Sequence, residues 1–170
     1  MKQLKKLLWC ILLICSVQVQ ATSWNVSEWT LEDSSGKARV SVENGIMDIL
    51  SPDGLTLWFN ERITGNYEIS YRIRVVMNNG KYDRLSDMNC FWGANDPENP
   101  DNIFAKSKQR KGLFRNYNHL NLFYVGYGGN ENKTTRFRKY HGEFYGKDEN
   151  KIKPLLKEYT QMPYLLEANR

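Results

Sequence analysis

The chain has 170 residues, enough for one domain core and too few for two. An aromatic share of 13 % beside 25 % charged residues excludes a disordered chain. The 24 Lys and Arg exceed the 19 Asp and Glu by five, but Lys2, Lys5 and Lys6 fall in a leader; the remaining excess of two excludes a nucleic-acid binder, which carries a strong basic surplus.

Residues 1–21 have the pattern of a secretory signal. Three lysines precede the apolar run Leu7 to Cys15, and Val19-Gln20-Ala21 puts small residues where a signal peptidase reads. The nine residues of that run fall well short of the 18 or so that a membrane span needs, so no span is expected in the mature chain. Export to the periplasm or beyond follows. Cleavage removes Cys10 and Cys15 and leaves Cys90 alone, so no internal disulfide can form. The neighbours of Cys90 in Met88-Asn89-Cys90-Phe91-Trp92 are mostly apolar, the setting of a core thiol rather than a nucleophile.

Beyond the leader, apolar residues recur at spacing two. Trp29 and Leu31, then Ala38, Val40 and Val42, mark two strands. Ile46 to Leu50 and Leu55 to Phe59 flank Ser51-Pro52-Asp53-Gly54, whose Pro fixes φ and whose Gly supplies a left-handed residue; a hairpin is predicted there. Tyr67 to Val76 alternates over five pairs, with Tyr67, Ile69, Tyr71, Ile73 and Val75 on one face and Glu68, Ser70, Arg72 and Arg74 on the other. Its length suits a central strand. Residues 94–110 hold two prolines and three Lys or Arg and read as a long loop. Leu120 to Tyr127 and Thr134 to Tyr140 form another strand pair about Gly128-Gly129-Asn130.

No window carries a sustained helical repeat, and there is no phosphate loop, zinc motif or calcium-loop spacing. No metal or cofactor is expected. The fold class is all-β, a two-sheet antiparallel sandwich.

The residue types that recognise saccharides are flat rings, which cover sugar C–H faces, and planar polar groups, with Arg forks for acidic sugars. Trp92, Tyr124, Tyr127, Arg136, Arg138 and Tyr140 are of these types, and the period of two puts Arg136, Arg138 and Tyr140 on one face. The competing reading makes the rings core and the arginines its rim. For catalysis, Asp83, Asp87, Asp96, Glu143, His119 and His141 are available, but no spacing among them fixes a reaction and no catalytic residue is assigned. Asp87 fits an arginine partner and Asp96 before Pro97 a turn start. The sequons at Asn25 and Asn132 carry no role.

The segments Ile63 to Tyr71, Arg84 to Trp92, Tyr124 to Asn130 and Thr134 to Tyr140 resemble a family of exported bacterial domains of unknown function. That family is similar to the concanavalin A-like lectin and glucanase jelly rolls and occurs among polysaccharide-utilisation proteins of Gram-negative gut bacteria. The resemblance runs from Trp24 to Ala168. It implies one jelly-roll domain over residues 22–170, a concave glycan-facing sheet, and a role with polysaccharides of plant or host, pectic ones included. It offers no catalytic residues. Such domains continue with further strands past a segment like Tyr164-Leu165-Leu166, which implies C-terminal truncation here.

Three functions follow as expectations: binding of a polysaccharide or oligosaccharide in a groove lined by Trp92, Tyr127, Arg136, Arg138 and Tyr140; hydrolysis or elimination of an acidic polysaccharide with Asp87 or a histidine as acid/base, favoured by a His and a carboxylate facing Arg136; or a structural accessory role, which needs Trp92, Tyr127 and Tyr140 inside the core.

Overall fold

A computed structural model describes residues 24–142, the strand Lys157–Met162 and Leu166. The expected leader, Glu143 and most of the C-terminal apolar segment from Pro163 lie outside the described residues.

The strands are β1 (Trp29–Asp33), β2 (Arg39–Glu43), β3 (Ile46–Leu50), β4 (Leu55–Phe59), β5 (Met88–Asn95), β6 (Asn121–Gly128), β7 (Thr134–His141) and β8 (Lys157–Met162). Among the described residues helix is confined to short turns, which include α1 (Ser107–Arg110) and the 3-10 turn Phe114–Tyr117. Among the described residues the strand pairings are antiparallel and no sheet closes into a barrel, which is the all-β organisation of a sandwich.

β1 pairs with β4 and β2 with β3, so the first four strands make one bent ribbon. The expected hairpin of β3 with β4 is corrected here. Its two strands exist, but the tight turn is Asn44-Gly45, with φ of 51° and 73°. Two consecutive left-handed residues match the right-handed twist of a hairpin. The Pro52 turn instead bends the ribbon where residues 34–38 on one arm face 51–54 on the other.

The remaining sheet has the order β5-β6-β7-β8. The strand pair about Gly128 is present as β6 and β7, joined by a turn in which Asn130, Glu131 and Asn132 all take left-handed φ between 53° and 59°. Asn132 clasps the backbone of Leu166, accepting from its N–H at 2.8 Å and donating to its carbonyl at 2.9 Å.

The predicted central strand Tyr67 to Val76 is the second correction. Only Val75 takes part in a bridge, and the rest lies outside any strand. Alternation specifies which side chains share a face but supplies no partner. The predicted loop 94–110 starts as the end of β5 and finishes as α1, and its last residue, Arg110, is fully buried.

The core lies between one face of this sheet, the ribbon and the segment around the 3-10 turn. Trp58, Tyr117, Leu120, Leu122, Tyr124 and Tyr140 form it. An ion pair is sealed within: Glu32 Oε1 stands 2.6 Å from Arg110 Nη2 and 3.0 Å from its Nε, and the Tyr117 hydroxyl donates to Glu32 Oε2 at 2.5 Å. The guanidinium also lies 5.5 Å from the Trp58 ring centre, within cation–π range. Charges taken from water persist only when paired and hydrogen-bonded. This group therefore fixes the ribbon to α1 and the 3-10 turn.

Candidate functional site

Residues opposite one another in an antiparallel pair share a face. Arg136 pairs with Gly126, Arg138 with Tyr124 and Tyr140 with Leu122. Across β5, Asn89 pairs with Gly126 and Phe91 with Tyr124. This is the face on which the even-numbered residues of β6 are buried. Trp92 pairs with Phe123, and Met88 with Tyr127, on the other side. The single groove expected from Trp92, Tyr127, Arg136, Arg138 and Tyr140 is thus divided between two faces. Arg136, Arg138 and Tyr140 do share one, but β5 enters in a register that sets Trp92 beside odd-numbered residues of β6.

Tyr140 is 2 % exposed and meets Phe114 and Tyr124 edge to face, at 6.4 and 6.1 Å between ring centres. It belongs to the core. Arg136 and Arg138 are partly exposed on the same face. Between them and β5 lies the Tyr124 ring, whose hydroxyl donates to Asn89 Oδ1 at 3.2 Å. That hydroxyl sits over Gly126, where a Cβ would stand 2.0 Å from it, so only glycine leaves room. Burial pushes the Tyr124 phenol up, the neighbouring Tyr140 and Asp87 add to this, and Arg138 and Arg136 act against it. It remains a protonated donor near neutral pH. Asn89 itself is exposed, so this end of the face presents an amide, a phenol and two guanidinium groups.

The other face carries rings. Trp92 and Phe137 are 5.7 Å apart at 4° and both stack on Phe123, while Lys139 Nζ lies 5.5 Å from the Phe123 centre. All are partly exposed, as is Tyr127. Cys90 is on this side, and burial pushes its thiol up despite a hydrogen bond with Tyr71. The Tyr71 phenol is pushed up to about 12, by burial first and then by Cys90. A thiol so placed is no nucleophile near neutral pH.

The titratable candidates hold structural posts. Asp83 accepts from the N–H groups of Asn78 and Gly80, and Asp87 pairs with Arg84 at 2.5 Å, as its sequence setting suggests. Asp96 starts a turn: its carboxylate accepts from the Glu98 N–H and the Asn99 amide, both at 3.0 Å. Burial acts to raise the Asp96 carboxyl, but these bonds and the Lys106 and His119 charges outweigh it and hold the group below the usual range. His119 Nε2 lies 3.9 Å from Asp96 Oδ2, and its Nδ1 is 2.8 Å from the Asn116 carbonyl. Both side chains are buried, beside Arg110 and Lys106 rather than Arg136. His141 is exposed at the end of β7. Among the described residues no group of three or more His, Cys, Asp or Glu could hold a metal ion, and no helix is long and apolar enough to cross a membrane.

Burial holds His119 below its ordinary value near 6.5, against the pull of Asp96. The unfolded chain therefore binds a proton that the folded chain resists, and stability present above about pH 6.5 is lost as pH falls through the lower folded value. Urea unfolding between about pH 7.5 and 5.5 should show this decline, and His119→Gln should flatten it. An equal decline in the variant would assign the effect elsewhere.

Residues 49–170 match a family described as Domain of unknown function (DUF6250). The chain belongs to this family. The DUF6250 span begins within β3 and takes in β4 to β8, so it contains both faces of the four-stranded sheet. Glu32 precedes it and Arg110 lies inside it, so the buried ion pair joins the DUF6250 span to the strands ahead of it. No curated protein and no solved structure matches the chain.

Sequence reasoning named Tyr124 among the rings of a saccharide groove but missed Gly126 and Asn89 as parts of the arginine face. The signal was present, since Asn89, Gly126 and the arginines follow from one register once β5 is paired with β6.

Proposed function

We propose that this is an exported domain of concanavalin A-like jelly-roll type that binds an acidic saccharide in polysaccharide recognition or breakdown, with Arg136 and Arg138 holding the carboxylate. One observation carries the reading: two partly exposed arginines share a sheet face with the Tyr124 hydroxyl and the Asn89 amide. Guanidinium forks bind carboxylates bidentately, while a phenol and an amide suit sugar hydroxyls. The leader pattern of residues 1–21 supports export.

Binding is favoured over bond cleavage because the His119 and Asp96 pair is sealed away from Arg136, and because the Tyr124 phenol keeps its proton. Trp92 and Tyr127 stand on the opposite face and take no part in holding the carboxylate.

The test is a glycan array probed with the protein and with Arg136→Ala. A charged hydrogen-bonded partner contributes about 1.5–3 kcal/mol. Arg136→Ala should therefore weaken acidic-glycan binding by about ten- to a hundredfold, and unchanged binding would remove Arg136 from the site.

A further inference from the structure

The segment 67–76 alternates without forming a strand. Its apolar side chains alternate, yet Tyr67, Ile69, Tyr71 and Ile73 are 42–50 % exposed and the main chain there makes no strand. Beside it runs β5, the outer strand in the order β5-β6-β7-β8, whose second edge no described strand occupies. An edge that no described strand occupies, next to an alternating segment bridged only at Val75, is a template and its complement.

Two contacts give the direction. The Tyr71 hydroxyl is hydrogen-bonded with the Cys90 thiol, and a Cβ at Gly93 would lie 4.0 Å from the Tyr67 hydroxyl. Moving forward from 67 to 71 thus moves backward from 93 to 90, which is the antiparallel sense. With Tyr71 opposite Cys90, the apolar set Ile69, Tyr71 and Ile73 joins Trp92, Cys90 and Met88 on the ring-bearing face. Ser70 then falls opposite Phe91 and Arg72 opposite Asn89, on the arginine face.

The known pairings extend that row, since Asn89 faces Gly126 and Gly126 faces Arg136. Arg72 and Arg136 would stand in one row across the sheet, three strand spacings or roughly 14 Å apart. Between them lie the exposed Asn89 amide and the Tyr124 hydroxyl seated over Gly126. Asp87 already bonds Arg84 and would face Arg74.

We propose that residues 67–76 close onto the β5 edge as a fifth strand, with Tyr71 opposite Cys90, and that the closed sheet binds an anionic oligosaccharide whose separated charges reach Arg72 and Arg136. The ligand half rests on the saccharide reading above; the strand half does not. Two guanidinium groups so far apart select a chain bearing repeated anionic groups over a single acidic sugar.

A cysteine trap tests the strand. Tyr71→Cys should form a disulfide with Cys90 under mild oxidation, since facing residues of an antiparallel pair lie within disulfide reach. Arg72→Cys, on the opposite face, should not. Peptide mass spectrometry reads the bond, and absence of the 71–90 link in folded Tyr71→Cys, or equal linkage in Arg72→Cys, overturns the closure. Amide exchange of the unaltered chain gives a second reading: every other amide of 67–76 should be protected, and uniform fast exchange contradicts it.

The ligand half is tested with an oligogalacturonide, a sulfated oligosaccharide of equal length, a neutral one and galacturonic acid. The protein should prefer one or both anionic oligomers to the neutral one by about tenfold or more, with the tighter of the two naming the anionic group. Arg72→Ala should weaken the oligomer by a similar factor and leave the monomer unchanged. Equal effects on oligomer and monomer, or none on either, overturn the two-point site. If Arg136→Ala leaves binding intact, the saccharide reading itself fails, while the cysteine trap still judges the strand.

Discussion

Glu32→Ala should lower the unfolding free energy by about 3–5 kcal/mol, the cost of leaving a buried charge without its partner. Both members of the pair have fully buried side chains, and Glu32 also accepts from the Tyr117 hydroxyl. Removing the carboxylate strands a guanidinium and a phenol in a site closed to water. Arg110→Met leaves the mirror defect, a buried carboxylate retaining only one neutral donor. The double change Glu32→Leu with Arg110→Met leaves no charge behind and should recover most of the loss, since desolvation offsets much of what a buried pair contributes. Glu131 and Lys133, an exposed pair with side chains 79 % and 69 % accessible, set the comparison. Glu131→Ala should cost less than about 1 kcal/mol. Urea unfolding followed by tryptophan fluorescence measures all four. A Glu32→Ala cost no greater than that of Glu131→Ala would show that the clamp does not hold the ribbon.

Tyr140→Ala should be equally damaging to stability, by about 3–5 kcal/mol, and harmless to binding by the fraction that stays folded. Its ring is enclosed by Phe114, Tyr124 and Leu122, so truncation leaves a cavity that the rigid sheet cannot close. Arg136→Ala should show the reverse: a stability cost well below that of Tyr140→Ala, and acidic-glycan binding reduced. The two residues are four positions apart on one face of β7, so the crossed outcome would divide that face into a core end and a ligand end. Denaturant midpoints paired with glycan binding decide it. Loss of binding in folded Tyr140→Ala at constant stability would return Tyr140 to the site.

Local sequence carried the strands better than their partners. β6 and β7 were legible because two alternating runs enclose Gly128-Gly129-Asn130 and leave few ways to pair. β3 and β4 were legible as strands, but two turn signals compete there, and Asn44-Gly45 prevails over Pro52 because its geometry matches hairpin twist. β8 escaped notice: Lys157-Glu158-Tyr159-Thr160-Gln161-Met162 has little alternation, and its place is set by pairing with β7. Arg110 was invisible as a core residue, since its partner lies 78 positions away and a lone arginine in a polar stretch reads as solvated.

The site was half legible for a similar reason. A period of two tells that Arg136, Arg138 and Tyr140 share a face, yet says nothing about which face the rest of the chain covers. That depends on where the ribbon and the 3-10 turn pack, a contact between distant segments. Trp92 lay beyond reach because its side of the sheet depends on the register of β5 against β6.

The most direct measurement is calorimetric titration of the protein with an oligogalacturonide and with the same oligomer after its carboxyl groups are reduced to alcohols. Arginines holding carboxylates predict binding of the first and a loss of about tenfold or more for the second, with the difference shrinking as salt is raised. Equal affinity for the two oligomers would contradict the account, because the charge that Arg136 and Arg138 are said to grasp would then make no difference.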